Sequence, residues 1–127
     1  MDTPSMDTPL LDLSYLQEIS GNDSTYIYEV LNLFLDTVPK SLEILEQLIR
    51  ETDDYDSIQR RAHSLKSSSS VIKVRDMFDN VARIDLLARG KSGKDEMATR
   101  INTTLLTFNE ALPLIRAERK KNKPSKS

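Results

Sequence analysis

Apolar residues recur along this chain at the three- and four-residue steps that line one face of an α-helix. The longest such stripe is Ile27, Val30, Leu31, Phe34, Leu35, Val38, Leu42, Leu45, Leu48 and Ile49. It follows Asn22-Asp23-Ser24, side chains suited to an N-cap, and contains Pro39, whose missing N–H is expected to kink the helix without ending it. Thr52-Asp53-Asp54 offers a second cap, after which Ile58, Ala62, Leu65, Ser69 and Ile72 mark a second amphipathic helix. Beyond a joint at Lys73-Val74-Arg75-Asp76, the positions Val74, Met77, Phe78, Val81, Ile84 and Ala88 mark a third, which stops near Gly90. Met97, Ile101, Leu105, Phe108, Leu112 and Ile115 mark a fourth, bent at Pro113. Ahead of all of these, Leu11, Leu13, Tyr15, Leu16 and Ile19 form a short helical cluster closed by Gly21 and Asn22. Amphipathic stripes joined by short loops must bury against one another. The expected fold is therefore all-α, an antiparallel up-and-down four-helix bundle with a short extra N-terminal helix.

Composition removes the competing architectures. At 127 residues the chain makes one core of ordinary domain size. Its three Gly and five Pro, two of the Pro within the first nine residues, are too few for the turns of a sandwich or barrel. With no Cys it has no disulfide, thiolate metal site or cysteine nucleophile. No segment approaches the ~18 apolar residues of a membrane span, and MDTPSMDTPL has neither the basic nor the apolar region of a signal peptide, so a cytoplasmic protein without membrane contact is expected. The repeated Met-Asp-Thr-Pro reads as a disordered leader over 1–9, the bundle as 10–117 and the remainder, 118–127, as a flexible basic tail.

The net charge of −2 conceals an asymmetry. From Arg116 onward six basic residues face Glu118 alone, which leaves twelve basic against nineteen acidic residues before it, a body at −7. An acidic body repels a phosphate backbone, and the tail has no interleaved aromatics, so nucleic acid is not an expected partner.

Against this acidic background one stretch stands apart. From Ser57 to Arg75 there are Arg60, Arg61, Lys66, Lys73 and Arg75 and no acidic residue. The single histidine, His63, lies within it. At 100° per residue, with Ile58 at the centre of the buried face, His63 falls at about 140°, toward solvent. Gln59, Lys66, Ser67 and Ser70 surround it on the same polar flank. An exposed imidazole can attack phosphorus, and an ammonium one turn away offsets charge on the phosphoryl oxygens.

The residues Ala62-His63-Ser64-Leu65-Lys66-Ser67-Ser68-Ser69 resemble the A-H-x-L-K-G-S-S signature of histidine-containing phosphotransfer (HPt) domains. The resemblance extends over the body: Phe34-Leu35, Pro39 and the Leu42/Leu45/Leu48 stripe are similar to the family's first long helix, and Val81-Ala82-Arg83-Ile84-Asp85 takes the place of a later one. It implies that His63 accepts a phosphoryl group from the aspartate of one response-regulator receiver domain and passes it to another, with Lys66 neutralising the phosphate. By ungapped counting, Asp85 and Arg89 fall where some members place polar residues beside the histidine. The partners implied are receiver domains and a hybrid histidine kinase. No cofactor is expected on this chain, Mg²⁺ being supplied by the receiver, and a monomer is expected. Ser67 and Lys73 stand where the family has glycines, and Ser67 alters the surface a receiver must approach.

One His and no Cys leave no metal-ligand set and no charge-relay arrangement, and no Gly-rich phosphate loop is present. A phosphocarrier without nucleotide chemistry of its own is the expected class. The alternative is a helical adaptor that docks receiver or kinase domains without phosphotransfer.

Overall fold

A computed structural model describes residues 8–125. The elements are β1 (Leu11–Asp12), α1 (Ser14–Ser20), α2 (Ser24–Glu51), α3 (Tyr55–Val71), β2 (Lys73–Val74), α4 (Met77–Arg89) and α5 (Lys94–Lys121). Each long helix packs on the next and α5 closes onto α2, the arrangement of an all-α four-helix bundle, with α1 lying against α2. Leu42, Leu45, Ile58, Leu65, Ile84, Met97 and Ile101 fill the interior, and the rings of Phe34 and Phe108 meet at 5.9 Å in a tilted pair.

The helix ends follow local chemistry. Gly21 closes α1 at φ 62, the left-handed conformation that lets its N–H and that of Asn22 turn back onto the carbonyls of Glu18 and Gln17. The Asp23 carboxylate accepts from the N–H groups of Thr25 and Tyr26 at the start of α2, and that of Asp54 accepts from Ser57 N–H at the start of α3. α2 continues unbroken through Pro39 and α5 through Pro113.

Several positions differ from the periodic reading. Leu11 belongs to β1 and Val74 to β2, and these two-residue strands pair antiparallel, Leu11 opposite Val74 and Asp12 opposite Lys73. The joint between α3 and α4 is thus a short ladder that holds the N-terminal segment. Phe78 is 42% exposed, because the buried line of α4 runs Met77, Val81, Ile84, Ala88 and turns its neighbour outward. In α5 the buried line is Met97, Ile101, Thr104, Phe108, Ala111 and Ile115, with Leu105 and Leu112 at its edge. Thr104 can occupy the core because its hydroxyl donates to the Arg100 carbonyl. α5 extends to Lys121, past residue 118 where the tail was expected to begin. Of the expected leader, 1–7 lie outside the described residues, as do 126 and 127 of the tail; the Thr8 carbonyl accepts from Arg75 Nε at 2.9 Å.

Candidate functional site

On α3 the buried residues Ile58, Ala62, Leu65 and Ser69 fix the rotation of the helix, and His63, following Ala62, is carried to the surface with its side chain 58% exposed. Gln59 and Lys66, one turn to either side, lie on the flank facing α4. Across that seam Asp85 follows the buried Ile84, and its carboxylate is only 3% exposed.

Both oxygens of this carboxylate are occupied twice. Oδ1 accepts from Gln59 Nε2 at 2.8 Å and Arg89 Nε at 3.1 Å. Oδ2 lies 3.2 Å from His63 Nδ1 and 3.4 Å from Lys66 Nζ. Burial pushes the Asp85 carboxyl upward, but the hydrogen bonds from Gln59, His63 and Lys66 and the charge of Arg89 outweigh it and hold the group below the ordinary carboxylate value. Asp85 is therefore an anion at neutral pH. An ionised carboxylate only accepts, so the proton of a neutral imidazole resides on Nδ1 and the lone pair on Nε2, the nitrogen turned away from Asp85.

Five of the candidate residues, Gln59, His63, Lys66, Asp85 and Arg89, thus meet at one carboxylate. Ser67 and Ser70 stay outside it. Ser67 is exposed, and Ser70 donates to the Ser67 carbonyl at 2.7 Å and lines a cavity of about 420 Å³ with Lys73 and Phe78. The stretch from Ser57 to Arg75 is free of acid along the chain but not in space, because α4 delivers Asp85 into its middle. No helical period reveals this. The available signal was the ungapped alignment that placed Asp85 near the imidazole, and it did not show that the other four groups share one acceptor.

Charge elsewhere on the bundle is arranged differently. Glu96 of α5 takes Arg83 Nε at 2.8 Å and Arg100 Nε at 2.9 Å, and Arg100 Nη1 also donates to the Asn80 side chain. Among the described residues no group of three or more His, Asp or Glu is placed to hold a metal ion, and no helix is long and apolar enough to cross a membrane.

The family model for the Hpt domain matches residues 29–117, a span that contains α3, α4 and the whole Asp85 cluster. The chain belongs to the Hpt-domain family. No curated protein and no solved structure matches it. As an Hpt domain it serves phosphotransfer in two-component systems, in a family of phosphocarriers, and interacts with response-regulator receivers or kinases. Within this Hpt chain His63 is the single histidine.

Proposed function

We propose that His63 is a reversible phosphoryl carrier between the aspartates of two receiver domains. The observation that carries this reading is the pairing of an imidazole whose side chain is 58% exposed with a buried anion: His63 Nδ1 is engaged by Asp85, which leaves Nε2 as the nitrogen to hold the lone pair. Nε2 attacks the phosphorus of the receiver's acyl phosphate, the N–P bond forms as the P–O bond to the aspartate breaks, and the aspartate leaves as carboxylate. The ring then carries a positive charge shared with the Nδ1 proton, and Asp85 stabilises it. Onward transfer reverses these steps on the second receiver.

Lys66 sits 3.4 Å from Asp85, a long contact that the ammonium can exchange for the phosphoryl oxygens once they arrive. Arg89 and Gln59 keep Asp85 satisfied while it does so. The chain supplies position and charge, and Mg²⁺ belongs to the receiver. It acts as a cytoplasmic monomer that needs no cofactor of its own.

The test is incubation with phosphorylated receivers from the same cell, followed by detection of acid-labile, base-stable phosphate. Wild type is expected to be labelled, His63→Gln to carry no label with its fold intact, and Lys66→Ala to label more slowly and lose phosphate sooner. Ser67→Gly reports whether the hydroxymethyl group hinders or assists approach. Binding without label from any receiver would favour a phosphate-independent adaptor.

A further inference from the structure

The basic stretch around His63 is only partly used by the Asp85 cluster. From Tyr55 to Arg100 most cations have an acidic partner: Lys66 and Arg89 on Asp85, Lys91 on Asp56, Lys94 on Asp53, Arg83 and Arg100 on Glu96. Lys73 lies over the Tyr15 ring, and Arg75 donates to the Thr8 carbonyl. Arg60 and Arg61 differ. Arg60 donates only to the Ser57 hydroxyl, at 3.2 Å, with the Asp54 charge farther off. Arg61 has no hydrogen bond or ion pair among the described residues. Both line an open groove of about 330 Å³ between α2 and α3, with Ile44 and Leu48 as its floor and Ser57 and Ser64 beside them. A second, smaller groove shares Ile44 and Leu48 and is lined by Glu51, which is already bonded by Arg50 and Gln47.

We propose that this groove is the docking site for an acidic, partly apolar surface segment of the receiver that exchanges phosphate with His63. The inference rests on the phosphocarrier reading, because transfer to Nε2 forces the partner onto this surface. Arg60 is one turn from His63, and Ser64 is its neighbour in sequence. A stable contact covers about 800 Å² per partner, a disc about 16 Å in radius, so a domain seated on the imidazole reaches this groove. Two arginines without a carboxylate partner specify the sign of what fills it. Ile44 and Leu48 specify an apolar side chain alongside.

The experiment measures transfer from a phosphorylated receiver to the full chain as a function of receiver concentration and salt. A small phosphoramidate donor, which needs no docking, serves as the control. The Arg60→Glu/Arg61→Glu double variant is expected to raise KM about tenfold or more with kcat unchanged and to lose the wild-type salt dependence, while phosphoramidate labels it at the wild-type rate. Arg60→Gln/Arg61→Gln is expected to fall between, and reversal of the partner's acidic residues to restore transfer to the Glu variant. Unchanged KM and salt dependence in the double variant would overturn the proposal. So would loss of transfer in Leu86→Asp alone, since that places the partner on the exposed side of α4, or a change of oligomeric state in the double variant, since that makes the groove a contact between copies of this chain. If no receiver labels wild type, the phosphocarrier reading falls first and the docking proposal with it; if wild type labels and the Arg variants match it, only the docking proposal falls.

Discussion

Two carboxylates tie α4 to its neighbours, Asp85 on its α3 side and Glu96 on its α5 side, and they work in opposite solvent settings. Glu96 is 36% exposed and meets two arginines that are themselves about as exposed. Arg83 and Arg100 hold its carboxyl down to about 2. Asp85 is 3% exposed, whereas the side chains that reach it are 58% exposed for His63, 55% for Arg89 and 32% for Lys66. At Glu96 the carboxylate is as open to water as the arginines that hold it, and the network joins two helices. At Asp85 a dry anion anchors groups whose outer ends remain wet, so each can be oriented from below and still meet a partner from above. Ion pairing is common to both, and only the second arrangement prepares a nucleophile.

The largest expected effect calibrates the comparison. Leu65, fully packed beneath the seam, should cost roughly 2–5 kcal/mol as Leu65→Ala in chemical denaturation. His63→Ala, on the opposite face, removes one of the four partners of Asp85 and should cost about 1 kcal/mol, clearly less than Leu65→Ala. If the order were reversed, the imidazole would be a structural group. Next comes Asp85→Asn, which keeps the shape but removes the charge and the fixed acceptor. Transfer to His63 should slow on the order of 10²-fold, with ¹⁵N resonances of the ring showing Nδ1 no longer the settled site of the proton. Equal rates in the two proteins would reduce Asp85 to the status of Glu96. The corresponding change at the other site, Glu96→Gln, should lower stability less than Leu65→Ala and leave transfer at the wild-type rate. Slower transfer in Glu96→Gln would show that the two networks communicate through α4.

Acid should separate the two more gently. Both groups have folded values below their ordinary ones, so their contributions are complete above about pH 4.5 and fade as pH falls through the folded values. Glu96 gives up its share between about 4.5 and about 2. The stability curve should therefore be flatter between about pH 4.5 and about pH 2 in Glu96→Gln than in wild type.

Much of this was legible in the sequence because burial imposes a period. Ile58, Ala62, Leu65 and Ser69 set the face of α3, and that period alone places His63 outside. What stayed hidden has no period. Leu11–Asp12 and Lys73–Val74 are too short for strand alternation to register. Asp85 is a buried acid where the pattern of α4 asks for nothing polar, and only its partners on another helix make the position tolerable. Glu96 and Arg100, four apart, were readable as a pair, but the addition of Arg83 required the packing of α4 on α5. That Arg60 and Arg61 form no ion pair among the described residues is also invisible in one dimension, since Asp53, Asp54 and Asp56 lie nearby in sequence.

The β1–β2 ladder carries a consequence for the order in which the molecule assembles. Nearly every other contact that shapes the Asp85 cluster links adjacent helices, whereas Arg75 N–H reaches the Leu10 carbonyl and Arg75 Nε reaches Thr8 across 67 residues of chain. Closing a loop of that length costs on the order of 4 kcal/mol in chain entropy, and a two-residue ladder returns little of it until the bundle is already formed. The N-terminal segment is therefore a latch that shuts last and opens first, and the amide of Arg75, bonded to the Leu10 carbonyl, should exchange with solvent well ahead of those in the middle of α3. The hairpin that positions His63 against Asp85 is built before the latch closes over its far end, so the cluster forms from local contacts alone.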